Sequence, residues 1–343
     1  MGAPTLDDVA THARVSRATV SRVLNNNPSV NEALRARVLQ AIHELGYQPN
    51  RAARRLRSNT SDVLGLIISD IENPFFISVV RGVEDAAYQQ RMSVVLCNSD
   101  ENPAKQQMYL RVMWAERVGG LIISPTHAPG SQDLAELRQL GVPIVLLDRY
   151  TDSVDADAVV VDNAGGAQIA VHHLITLGYR RIATITGTLH LTTGAERYQG
   201  YLKALESAGI PFDRALVRSG DFKIESGYRL MVELLSLAQP PEAVFVANNL
   251  MTLGALRAAH EKSVRIPEDV ALVGFDDMPW SSQLCPPLTA VAQPTYELGQ
   301  EAVRLLVRRR EDPDASYHTV VLQPRLVVRE SCGALSRQRR SST

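Results

Sequence analysis

The chain has 343 residues, 45% hydrophobic and 21% charged, with 36 basic and 37 acidic side chains and a formal net charge of −1. No apolar run approaches the roughly 20 residues of a membrane span, and Cys97, Cys285 and Cys332 are too scattered for a C-x-x-C motif, a zinc site or a disulfide framework. With acids at Asp7 and Asp8 where a signal sequence would be basic and apolar, the expectation is a protein of the reducing cytoplasm with no membrane contact.

The first predicted element opens at Thr5, which with Asp8 has the spacing of a helix N-cap and an acidic third residue. Leu6, Val9, Ala10 and Ala13 recur at helical spacing, and the pattern breaks at Arg14-Val15. Ser16 then caps a second helix with Val20, Val23 and Leu24 inward. Two short helices across a tight turn make a helix-turn-helix, whose second helix sets its N-terminal residues against base edges in the major groove. Here those residues are Arg17, Ala18, Thr19 and Arg22. Arginine pairs with O6 and N7 of guanine, and alanine or a threonine methyl packs on a thymine methyl, so Arg22 is the leading base reader. Ser16, Thr19, Ser21 and Asn25 are short donors suited to phosphate oxygens, which fix register without specifying sequence. Ser29-Val-Asn-Glu32 predicts another capping box, opening a third helix with Ala33, Leu34, Val38, Ile42 and Leu45 inward and Gly46 as its stop. Through Thr60 the only cations are Arg14, Arg17, Arg22, Arg35, Arg37, Arg51, Arg54, Arg55 and Arg57, against Asp7, Asp8, Glu32 and Glu44. This local positive excess is a footprint for phosphates.

From Thr5 to Asn25 the chain resembles the LacI/GalR family of bacterial transcription regulators, whose head reads roughly T-x-x-D-V-A-x-x-A-G-V-S-x-x-T-V-S-R-V-L-N. Arg14 departs from the usual glycine, so the turn must accept a side chain. Gln48 to Arg57 resembles the family's hinge helix, with Asn50 as cap and Ala52, Ala53 and Leu56 on one face. Arg51, Arg54, Arg55 and Arg57 repel one another, and so short a helix is costly to nucleate, which predicts disorder off DNA. On DNA, two such helices from a dimer would enter the minor groove with Leu56 as an apolar wedge at a central step, by resemblance CG. The DNA-contacting set is therefore Thr5, Ser16, Arg17, Ala18, Thr19, Ser21, Arg22, Asn25, Asn50, Ala53 and Leu56. It is divided between a head at 1–47 and a hinge and linker at 48–60.

Beyond Thr60 short apolar runs alternate with amphipathic segments: Val63–Ser69, a helix from about Phe75 to Gln90, Ser93–Cys97, Gly120–Ser124, Val142–Leu147, Val159–Val161, Ile182–Thr186, Ala243–Val246 and Val270–Phe275. Such βαβ rhythm implies an α/β fold of doubly wound parallel sheets, and its length implies two lobes. Ligands of open parallel sheets bind beyond the carboxyl ends of the strands. Just past those ends stand Asn73, Phe75 and Phe76, then Ser124, Asp148 and Arg149, with Arg197, Asn248 and Asp276 after later strands. Carboxylates, amides and guanidinium groups pair with hydroxyls, and aromatic rings lie on the apolar face of a sugar or base.

This region resembles the periplasmic sugar-binding fold of the ribose-binding type. By motif the resemblance adds Phe222 from G-D-F and Gln293 from A-Q-P to the cleft residues. Asn249 stands where A-N-D is common. Trp280 is either a cleft aromatic or an interlobe packing residue. The resemblance places lobe 1 at about 61–161 plus 291–322, lobe 2 at about 162–290 plus 323–332, and a disordered tail at 333–343.

There is no phosphate-binding glycine loop, dinucleotide fingerprint or nucleophile elbow, and His172-His173 reads as packing or surface, so neither an enzyme, a cofactor nor a metal is expected. The expected function is a homodimeric, possibly higher-order, repressor of a carbohydrate operon. It would bind a near-palindromic double-stranded operator under control of a small sugar-like effector between the lobes. A purine-responsive regulator using its ligand as corepressor is the alternative, and a sugar-binding protein without DNA function a more distant one.

Overall fold

The Thr5–Asp8 box closes in both directions: Thr5 N donates to Asp8 Oδ2 at 2.7 Å, and Asp8 N to Thr5 Oγ1 at 3.3 Å. It starts α1 (Leu6–His12) in a computed structural model that describes residues 4–24, 27–47, 61–126, 133–139, 141–151 and 154–334. Ser16 Oγ accepts Thr19 N at 3.2 Å ahead of α2 (Arg17–Leu24), as its position predicts. The cap of α3 (Glu32–Leu45) differs from the expectation. Asn31, not Ser29, accepts Ala33 N at 2.8 Å, while Ser29 Oγ turns back to Asn27 Oδ1 at 2.7 Å. An amide oxygen one residue before the first helical turn reaches its free N–H groups; a hydroxyl three residues away does not. Ala33 is consequently exposed, and Val38, Ala41 and Tyr47 join Val9, Ala10, Ala13, Val20 and Val23 in the head's core. Gly46 ends α3 in the left-handed region at φ 60°.

The chain divides into two compact units, Met1–Ser61 and Asp62–Thr343. The larger contains two six-stranded sheets. In the first lobe these are β1 (Val63–Ile68), β2 (Ser93–Asn98), β3 (Gly120–Ile123), β4 (Ile144–Leu147), β5 (Asp157–Val161) and β11 (Thr319–Leu322). They are ordered β11-β5-β4-β3-β1-β2 and all parallel. Helices α4 (Pro74–Gln89), α5 (Pro103–Ala115), α6 (Asp133–Gln139) and α11 (Thr295–Glu311) belong to this lobe's span. Because the middle of a parallel sheet is covered on both faces, its central strands β1, β3 and β4 are apolar and buried nearly throughout. Leu64, Leu66 and Ile68 serve one core, and Ile67 the other. Where α4 meets α11, a side chain at Gly82 would collide with Tyr296 O at 2.1 Å, so glycine lets the two backbones touch.

The second lobe has β6 (Ile182–Thr186), β7 (Val217–Ser219), β8 (Ala243–Val246), β9 (Ala271–Phe275), β10 (Thr289–Ala292) and β12 (Arg325–Val327), with α7 (Asn163–Thr176), α8 (Thr192–Ser207), α9 (Ile224–Leu235) and α10 (Asn249–Glu261). Its order is β12-β10-β9-β8-β6-β7, with only the β10–β12 pair antiparallel. The backbone thus passes between lobes after β5, after β10 and after β11. The second passage falls past Ala292, because β10 is paired to β9; the expected return of the chain to lobe 1 at 291 is corrected accordingly. Ala334 is buried in this lobe's core, so the expected tail begins too early at 333.

Candidate functional site

At the carboxyl ends of both sheets the two lobes meet around a narrow cleft whose free cavity is about 40 Å³, most of the space being taken by the side chains that line it. Phe75 and Phe76 start α4 behind Asn73, whose Oδ1 accepts Phe75 N at 3.0 Å; their rings meet edge to face at 4.9 Å. Opposite them, Phe222 sits at φ 66° with its ring over Gly187, where a Cβ would lie 1.9 Å from the ring.

Charged groups fill the space between these aromatic walls. Arg149 grips Glu101 with both terminal nitrogens, at 2.8 and 2.7 Å, and keeps only Nε, 3.3 Å from Asp148 Oδ2, for its neighbour. Burial pushes the Asp148 carboxyl up to about 6, against the pull of Arg149 and Arg197. Arg149 itself is raised: burial opposes its charge, but Glu101 and Asp148 outweigh that. Arg197 is fixed on three sides. Its Nε donates to Asn163 Oδ1 at 2.8 Å, Nη1 donates to Ala247 O at 2.7 Å, and the plane lies 3.9 Å from the Phe275 ring centre. Burial draws its pKa down, opposed by Asp276 and Asp148. Asp276 accepts Asn249 N at 3.3 Å and the Gln293 side-chain amide. Asn248 caps α10 through Met251 N at 2.9 Å and donates to Phe222 O at 3.2 Å.

Two of these partners sit at the passages between lobes: Asn163 just after β5 and Gln293 just after β10. The groups that hold Arg197 and Asp276 are therefore on segments that connect the two lobes. Asp148 and Asp276 occupy the left-handed region at φ 69° and 74°, as Phe222 does. For residues with a Cβ this backbone is strained by about 1–2 kcal/mol each. Such strain gathers where side chains must be aimed.

Of the expected cleft residues, Asn73, Phe75, Phe76, Asp148, Arg149, Arg197, Phe222, Asn248, Asp276 and Gln293 line this one space. Ser124 does not; it is fully buried at the end of β3 and outside the lining. Trp280 packs partly buried against the second lobe's core, which removes it as a cleft aromatic. Asp70, Glu101, Thr193, Asp221 and Lys223 also line the cleft and were not foreseen. Asp70, Glu101 and Asp221 follow β1, β2 and β7, so carrying the strand-end rule to every strand would have found them.

In the head, Arg17, Ala18 and Arg22 on α2 are exposed, as is Ser16, while Thr19 and Ser21 are half-buried. Arg14 is exposed at φ 50°, and the turn it makes is secured by Arg37, whose Nη2 donates to Ala13 O at 2.6 Å and Arg14 O at 3.1 Å. Arg37 thus serves the turn, a role its charge alone did not reveal. Asn25, Asn50, Ala53, Leu56 and the whole 48–60 hinge lie outside the described residues.

A helix-turn-helix head and a two-lobed α/β receptor in one chain define a ligand-responsive DNA-binding regulator. Residues 5–50 match the bacterial regulatory proteins of the lacI family and residues 171–332 a periplasmic binding protein-like domain. A ribose operon repressor of Halalkalibacterium halodurans is 39% identical over 95% of this chain and 96% of its own. The HTH-type transcriptional repressor PurR of Yersinia pestis is 38% identical over 95% of this chain and 96% of its own. The lac repressor dimer bound to operator and the anti-inducer ONPF superimposes with a TM-score of 0.85 at 31% identity, covering 96% of this chain and 99% of that one. The chain belongs to the LacI family of bacterial regulatory proteins.

Proposed function

We propose that this protein is a repressor of a carbohydrate-utilisation operon whose grip on its operator is set by a neutral sugar bound between the lobes. The observation that carries this reading is the cleft. Aromatic rings of Phe75, Phe76 and Phe222 stand against fixed carboxylates, amides and guanidinium groups, the pairing of apolar faces and hydroxyl partners that a pyranose or furanose presents. Asp70, Glu101, Asp148, Asp221 and Asp276 outnumber Arg149, Arg197 and Lys223 around it, which disfavours an anionic ligand. The relationship to a ribose operon repressor supports the same class of effector.

Two copies would present two recognition helices to the halves of a near-palindromic operator, with Arg22 reading a base and Ser16, Thr19 and Ser21 positioning on phosphate. The first lobe's edge strand β2 exposes Val95 and Leu96, close in sequence to the exposed Met108 and Val112 of α5. An apolar sheet edge of this kind is covered in stable proteins, and a second copy covers it in our reading. Among the described residues no helix is long and apolar enough to cross a membrane, and a repressor of genomic operators would do its work in the cytoplasm. Because Asn163 and Gln293 connect Arg197 and Asp276 to the interlobe passages, a ligand that bonds those side chains favours one lobe arrangement over the other. That differential affinity is what couples the cleft to the operator.

A thermal-shift screen of D-ribose, other pentoses, hexoses, cellobiose, hypoxanthine and guanine on the full chain tests the effector class. A sugar should raise the melting temperature through preferential binding to the folded state. Stabilisation by a purine alone would replace this reading with a purine-responsive one.

A further inference from the structure

The β1–α4 loop of the first lobe is held by the second lobe at two points. Asn249 Nδ2 donates to Asn73 Oδ1 at 2.8 Å, and Lys223 Nζ donates to Asp70 Oδ2 at 2.6 Å with Asp100 Oδ1 at 3.7 Å. The amide pair has only one workable polarity. Asn73 Oδ1 already caps α4 through Phe75 N, so that side chain cannot present its NH₂ group without uncapping the helix. Asn249 Oδ1 accepts Leu250 N at 2.7 Å, which turns its Nδ2 towards Asn73 and Met278 Sδ. A carboxylate of the same shape at 249 would set an oxygen against Asn73 Oδ1, and both residues are buried. The lysine tie is of another kind: its side chain is 40% exposed, so salt screens it.

We propose that Asn249 is a positioning residue for lobe closure, and that with the Lys223–Asp70 pair it forms a clasp holding the lobes together without any ligand. The chain's own side chains then set the equilibrium on which an effector acts, and an effector moves it only as far as its affinities for the open and closed forms differ. The functional consequence rests on reading the cleft as the effector site, but the clasp itself is a property of the ligand-free chain.

Hydrogen exchange on the full-length, ligand-free protein tests it with neither operator nor sugar present, so failure of the clasp and failure of the sugar reading are separate results. Asn249→Asp keeps the bond to Leu250 N and removes the donor. Exchange of loop 69–76 and of 221–224 should rise about five- to tenfold, the loss of one buried hydrogen bond, while β3 and β8 stay protected. The variant should also become more sensitive to raising NaCl from 0.05 to 0.5 M than the wild type, because of the two ties of the clasp it keeps the ionic one. Unchanged loop exchange, or an equal salt response in both proteins, overturns the proposal. Should Asn249→Asp not fold, Lys223→Gln at the cleft rim must by itself raise exchange of loop 69–76, and no rise would overturn the proposal as surely.

Discussion

Replacing Asp148 with asparagine isolates the cost of a carboxylate buried at the cleft. The residue is 6% exposed, and its closest cation, Arg149, has spent both terminal nitrogens on Glu101. Burial, with Asp276 and Glu101 adding to it, therefore outweighs Arg149 and Arg197 and raises the carboxyl from 3.8 to about 6. In the unfolded chain the proton leaves near the lower value; in the folded chain it stays until the upper one. Between them the folded state binds more protons, so stability falls as pH rises through that window. At 1.36 kcal/mol per unit the loss amounts to about 3 kcal/mol, complete above about pH 6. Asparagine has the same shape and no proton to release. Denaturant unfolding of wild type and Asp148→Asn from pH 4 to 7 gives a stability difference in which the titrations common to both cancel. That difference should move by about 2.4 kcal/mol in favour of asparagine across the range, the rest of the loss lying below pH 4. A pH-independent difference, or one moving in favour of aspartate, would refute the reasoning and show Asp148 ionised and effectively paired with Arg149.

Gly187→Ala should drive the Phe222 ring from its seat and reduce the sugar-induced rise in melting temperature while sparing operator binding; an unaltered thermal shift would remove Phe222 from the site. Arg22→Ala should cost about 1–3 kcal/mol on the cognate operator and relax preference at one base pair per half-site, read by binding to a panel of operator variants; a uniform loss would make Arg22 a phosphate contact. Arg37→Ala removes two bonds to the turn carbonyls and should destabilise the head by about 1–3 kcal/mol, seen as faster amide exchange in α1 and α2 with the core unaffected.

The elements with local signatures were legible in the chain itself: the Thr5 box, the Ser16 cap, the Gly46 stop and the long apolar strands. β7, β10, β11 and β12 were not, being only three or four residues long, with register supplied by the neighbouring strand instead of by their own pattern. Ser29 misled because its spacing to Glu32 mimics a capping box that Asn31 fills from closer by. In the cleft, types and strand-end positions identified part of the direct lining, but Asp70, Glu101, Thr193, Asp221 and Lys223 escaped, as did side chains acting through others. Asn163 opens a helix and reads as an ordinary cap neighbour; only the fold brings it to Arg197. Lys223 reads as a surface cation until the opposing lobe places Asp70 against it.

The three passages between lobes also impose an order on synthesis. Sheet and helices up to Val161 emerge first, yet α11 and β11, which complete that lobe, are not made until Leu322. At ribosomal rates of about 5–20 residues per second the gap is on the order of ten to thirty seconds. Throughout it, the face of α4 that later meets α11 is open to water and to other nascent chains. The backbone contact at Gly82 must then form late, after all of the second lobe but β12 and the segment to Ala334 has been made. A protein whose chain passes three times between its lobes is thus also one whose first half waits, uncovered, for the second.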